Sequence, residues 1–161
     1  MNKLIAAIIA ALLLSGCSNG AGRSNQKLPE RLGSMTLTKS ITGQKALDEL
    51  DRLHKELTYK PDNAAIGFYG QKAIIWLSFE SSEKNAENLV ARMPKKQVSK
   101  SGFSGFKKEK IKGVNVLSVQ GMGWQHYYFS RGKAVVWLAA DKGVARTALQ
   151  NLLTYAEEVK W

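Results

Sequence analysis

Hydrophobic and polar positions alternate along this chain with two distinct periods. Threonine and apolar residues alternate from Met35 to Ile41, the two-residue period of a strand. Leu47, Leu50, Leu53 and Leu57 then recur at helical spacing within 42–57. Two apolar runs, Ala64–Tyr69 and Lys72–Phe79, flank Gly70-Gln71 and predict a hairpin. Ser81 and Ser82 offer a helix cap, with Glu83 in the first turn. Ala86, Leu89, Val90 and Met93 form that helix's apolar stripe, and Pro94 is expected to stop it. Further on, Phe106–Lys112 and Val114–Gln120 flank Gly113, while Trp124–Ser130 and Lys133–Ala140 flank Arg131-Gly132. Asp141 can cap a last helix with an inner stripe of Val144, Ala148, Leu149, Leu152, Ala156 and Val159. The predicted order is β-α-β-β-α-β-β-β-β-α.

Within that order the chain echoes itself. Lys72-Ala73-Ile74-Ile75-Trp76-Leu77 matches Lys133-Ala134-Val135-Val136-Trp137-Leu138 position for position, at an offset of 61. Each copy follows an aromatic run and a glycine turn, and each precedes a helix. Two ββα-type repeats in one antiparallel sheet give an α+β fold, with the helices expected on one face. The element order is ferredoxin-like with extra strands, an analogy that carries no activity.

The first residues follow a different pattern. After Lys3, the eleven residues Leu4–Leu14 carry no charge. A positive start and a short apolar run make an export signal, since spanning a bilayer takes ~20 apolar residues. Leu14-Ser15-Gly16-Cys17 follows and resembles a bacterial lipobox. The resemblance implies removal of residues 1–16 and a thioether from Cys17 to diacylglycerol. It also implies an N-acyl chain, of palmitate type, on the new N-terminus. It covers only these first positions and names nothing about the remainder. Ser18 in the next position resembles lipoproteins sent to an outer membrane, facing the periplasm. In a single-membrane host the same anchor would hold the domain on the outer face of the cell. Cys17 is the only cysteine, so an internal disulfide is excluded and acylation accounts for the thiol. Residues 17–34 then read as the lipidated cysteine and a polar tether, and 35–161 as one α+β domain.

The charge balance narrows the partners. The chain has 24 basic and 13 acidic residues, and loss of Lys3 still leaves +10. Such a surface favours anionic lipid, anionic glycan or nucleic acid. An exported chain meets the envelope components first, which sets nucleic acid behind them. The basic residues concentrate between Pro94 and Gly113 in Lys95, Lys96, Lys100, Lys107, Lys108, Lys110 and Lys112, against Glu109 alone. This segment is the candidate anion-binding surface, although lysine on an edge strand also serves to discourage aggregation.

No chemistry-bearing motif appears. The chain has no Gly-x-Ser-x-Gly elbow, no phosphate-cradling glycine loop and no His-Glu-x-x-His helix. Its two histidines, His54 and His126, stand far apart, and no metal or cofactor site is expected beyond the lipid on Cys17. With two-residue turns in both hairpins, Tyr69, Trp76, Trp124, His126, Tyr128 and Trp137 fall on one side of the sheet, with His126 opposite Trp137. Helices on the other side would leave this aromatic set open as a candidate binding face. The expectation is a lipid-anchored envelope protein that binds or scaffolds a partner protein or an anionic component without catalysis. The alternatives are an enzyme of envelope polymers working around His126, and a nucleic-acid binder of the envelope.

Overall fold

The computed structural model describes residues 28–53, 60–98 and 102–161, with backbone alone for 94–98. Two short strands, β1 (Arg31–Leu32) and β2 (Met35–Thr36), precede β3 (Lys39–Thr42) and α1 (Gln44–Leu53). Strands β4 (Asn63–Tyr69) and β5 (Ala73–Phe79) lead to α2 (Glu83–Val98). Strands β6 (Phe103–Ile111), β7 (Val114–Gly121), β8 (Trp124–Arg131) and β9 (Ala134–Asp141) lead to α3 (Ala145–Glu158). From β3 onward this is the predicted order. The sheet is antiparallel, with seven strands ordered β3-β4-β5-β9-β8-β7-β6, and β1-β2 form a separate hairpin.

The α+β class and the antiparallel sheet are as expected, but the helices are not confined to one face. Alternate residues of the central strands are apolar on both sides. Ile75, Leu77, Val136 and Leu138 bury against Ala148, Leu149, Leu152 and Leu153 of α3. On the reverse side Leu117, Val119, Tyr128 and Val135 pack under Ala86, Leu89 and Val90 of α2. There too Ala64 and Ile66 pack under Ala46 and Leu50 of α1. A sheet whose central strands read as continuous apolar runs has two faces to shield from water, and one helix layer cannot shield both.

The internal repeat is real at the level of strands and fails at the helices. Strands β5 and β9 are neighbours, and their register places Trp76 directly opposite Trp137. These are equivalent positions of the two copies, so a local twofold axis passes between them, perpendicular to the sheet. It relates the β4-β5 hairpin to the β8-β9 hairpin. Under that axis α2 and α3 would share a face, yet α3 lies on the opposite one.

Three local expectations need correction. Residues 28–34, read as tether, belong to the fold: Leu32 is 1% exposed and Leu28 9%, both in the α3-side core. Their apolar side chains are what distinguish them from the polar residues before. Helix α2 runs past Pro94 by a further turn, although proline forfeits one ladder hydrogen bond there. Asp141 does not cap α3; its carboxylate takes the Gly143 N–H at 2.9 Å, and the cap position, Val144, makes no side-chain cap bond. The Ser82 cap is formed, its hydroxyl accepting from the Asn85 N–H at 3.2 Å.

Candidate functional site

Sheet register decides which of the predicted aromatic residues meet. The β8-β9 turn pairs Arg131 with Ala134, so Trp137 lies opposite Tyr128, and His126 opposite Ala139. This is two residues from the expected pairing and therefore keeps Trp124, His126, Tyr128 and Trp137 on one face. The β4-β5 turn has three residues, with Tyr69 opposite Ala73. A single extra residue reverses the side on which every β4 side chain points. Tyr69 thus leaves the aromatic set for the α3-side core, where its hydroxyl donates to the Pro29 carbonyl at 2.7 Å. Burial pushes its phenol well above the ordinary tyrosine value. Ile66 takes the place across from Trp76.

The remaining aromatics form a connected ladder. Trp76 and Trp137 stack at 4.2 Å between ring centroids, with 22° between planes. Tyr128 stacks on Trp137 at 5.7 Å, and His126 lies 5.9 Å from it on the same side of the sheet. Phe103, from the lysine-rich stretch, closes the ladder 5.4 Å from His126. The face is not open, however. Tyr128 is fully buried and His126 is 5% exposed, because α2 lies over β7 to β9. Helix α1 covers the β4 side. Between the two helices a shallow cleft remains, floored by Trp76 and Trp137, both half-buried. Leu50 of α1, Leu89 and Met93 of α2, Ser78 and Val135 complete its walls. The sequence places Leu50, Leu89 and Met93 in helix stripes but not around a site, since nothing in the α1 and α2 stripes says where the two helices part. The repeat did point at the floor, through the two tryptophans of its matched hexapeptides.

His126 is held at both ring nitrogens. The Trp137 indole N–H donates to Nδ1 at 3.1 Å, and Nε2 lies 3.1 Å from the Gly121 carbonyl. An indole nitrogen can only donate and a carbonyl can only accept, so the proton sits on Nε2 and the ring is neutral. Burial lowers its pKa, partly offset by the bond to Gly121. No carboxylate is among these partners, and neither nitrogen is available as a base. Its geometry orients Trp137 in the floor of the cleft.

The lysine segment is presented differently. Lys107, Lys108 and Lys110 are exposed on β6, the outermost strand, beside the half-exposed Phe106. Pairing puts Lys108 and Lys110 opposite Leu117 and Asn115 on the α2 side, while Lys107 falls on the α3 side. Lys112, in the β6-β7 turn with a positive φ of 47°, donates to the Thr154 hydroxyl of α3. Glu109 is engaged by Arg146 at 2.8 Å, so it neutralises α3 rather than its lysine neighbours. A register shift between Ser104 and Lys107 kinks this edge, which with its lysines discourages further strand pairing. The Lys95 and Lys96 side chains, Lys100, His54 and Cys17 lie outside the described residues. Among the described residues no group of three or more His, Cys, Asp or Glu could hold a metal ion. No described helix is long and apolar enough to cross a membrane.

No family model matches the chain, and neither does any curated protein. Among solved structures it is similar to the extracellular domain of PknH from Mycobacterium tuberculosis, at 13% identity. That likeness covers 78% of this chain and 80% of the other, with a TM-score of 0.45.

Proposed function

We propose that this protein is a lipid-anchored component of a bacterial cell envelope, whose domain binds an anionic envelope component or a partner protein without chemistry of its own. The observation that carries the reading is the short distance from Cys17 to the fold. Leu28, the first described residue, is already packed in the core, and ten residues, 18–27, stand between it and the lipobox cysteine in the sequence. Even fully extended, ten residues span no more than ~35 Å. A domain held that close to a bilayer meets envelope surfaces at high local concentration. Its exposed β6 lysines then suit an anionic partner better than the aromatic ladder does, because α1 and α2 already cover most of the ladder. The enzymatic alternative would need a free nitrogen on His126, and both are engaged.

Two measurements test the reading. Cys17→Ser should leave an unlipidated precursor that no longer incorporates a palmitate analogue and no longer sediments with membranes. Normal membrane retention of that variant would overturn the anchor. For the binding surface, a photo-crosslinker placed at Lys108 in the anchored protein should capture a specific envelope component. Charge reversal at Lys107 and Lys110 should abolish the product, and a product indifferent to those charges would remove β6 from the proposal.

A further inference from the structure

The sheet has two chemically different ends. At one end the strands finish near Lys39, which pairs with Phe68, and at Tyr69, which pairs with Ala73; Ala73 in turn faces Ala140, and beyond it Asp141 pairs with Trp124, Trp124 with Gly121 and Gly121 with Phe103. Lys39, Lys72 and Lys142 are exposed there. Asp141 is acidic there, its carboxylate turned onto the Gly143 amide, and the exposed Glu30 lies across from Leu37 beside the same end. Met122 stands at the tip of the β7-β8 turn, 80% exposed, held by a positive φ of 54° and followed by Gly123 at 82°. Trp124 beside it is half-buried. The opposite end carries Lys112, Arg131 and Lys133, but mixed with Asp62, Glu83, Glu157 and Glu158.

The chain also enters the fold at the lysine end. A Cβ on Gly67 would lie 2.9 Å from Leu28, and Tyr69 binds the Pro29 carbonyl, so residues 28–29 lie along the last residues of β4. Those residues lead directly into the turn that carries Lys72.

We propose that this end of the sheet docks on an anionic phospholipid surface, with Lys39, Lys72 and Lys142 against the headgroups and Met122 and Trp124 at the interface. The inference rests on the lipid-anchor reading and adds an orientation to it. From β3 to the β7-β8 turn the cations and Met122 follow one another along this end of the sheet over ~20 Å at strand spacing. Such a row matches a plane of negative charge, not a pocket. Lysine is attracted to anionic headgroups, and an exposed methionine and an amphipathic tryptophan suit the interfacial zone. The first described residues, Leu28 and Pro29, lie beside the same end, over Gly67 and Tyr69.

The test uses the full lipidated chain with Met122→Cys, labelled with a fluorophore on the new thiol, Cys17 being consumed by lipid. A second protein carries the label at Glu157→Cys, at the far end. Each is reconstituted in vesicles of phosphatidylglycerol with phosphatidylethanolamine, and in phosphatidylcholine alone. Flotation at high salt reports the anchor, and collisional quenching by iodide reports exposure of the label. Several-fold weaker quenching at position 122 than at 157 is expected in anionic vesicles only. It should vanish with Lys39→Glu, Lys72→Glu and Lys142→Glu combined, and with raised salt, while flotation persists. Flotation with equal quenching at both ends would overturn the orientation and leave the anchor standing. Protection that survives the triple replacement would overturn the electrostatic contact. Loss of flotation in the unsubstituted chain would instead defeat the anchor reading on which the orientation rests.

Discussion

His126 is fixed between the Trp137 indole and the Gly121 carbonyl, and this arrangement requires the neutral ring. Protonating Nδ1 would set two donors against each other in a buried site. Burial accordingly lowers the pKa below its ordinary value of 6.5. In the unfolded chain the imidazole takes up its proton near pH 6.5, whereas the folded protein resists until lower pH. The stability that the neutral ring contributes is therefore complete above 6.5 and declines as pH falls through that value toward the folded pKa. Urea unfolding at neutral and mildly acidic pH should show this loss, and His126→Phe should flatten it even though that variant is weaker overall. An unchanged pH slope in His126→Phe would mean that another group carries the dependence. The histidine was visible in the sequence only as an aromatic-strand residue with chemical potential. Its actual partners come from β7 and β9, which strand alternation alone does not identify.

Among elements, register separates what could be read in advance from what could not. The strand and helix runs, their order from β3 onward, the Ser82 cap and the inner stripe of α3 all follow from local periodicity. Pairing of Trp76 with Trp137 follows from the repeat once the two hairpins are known to be neighbours. Tyr69 was misplaced because a turn of three residues and one of two look alike around Gly70-Gln71, yet they point β4 in opposite directions. The β6 start is another case, since Phe103 joins the strand and its ring fills the space above Gly121. A Cβ at Gly121 would come within 2.2 Å of that ring. Gly121→Val should therefore destabilise the fold by about 1–3 kcal/mol, the usual range for overpacking. Combining it with Phe103→Ala should recover part of that loss, by denaturant titration of both single variants and the double. Strict additivity would show that the glycine serves the backbone of β7 instead of the ring of Phe103.

On the scale of the whole molecule, the arrangement of layers was the part least accessible to sequence. Binary patterning shows central strands that are apolar on both faces, but it does not say which helix covers which face. Placing all helices on one face leaves the aromatic set bare, while the polar, Gly-, Ser-, Asn- and Pro-bearing composition of 18–34 reads as tether and hides Leu28 and Leu32. The structure resolves both at once: α1 and α2 cover the aromatic side, and α3 with the β1-β2 hairpin covers the other. Leu32 is the sharpest measure of this change, since it passes from tether to core at 1% exposure. It packs with Met35 and the α3 residues in the principal core. Replacing it by alanine removes buried methyl groups from a site walled by a helix and a sheet, which costs about 2–5 kcal/mol in comparable cores. A tether residue replaced in the same way costs close to nothing. Leu32→Ala should lower the thermal midpoint by several degrees, whereas Gln26→Ala, before the first described residue, should leave it in place. Equal midpoints for the two variants would return residues 28–34 to the tether. They would also lengthen the reach assigned to the anchor, and with it weaken the case that one end of the sheet is held against a bilayer.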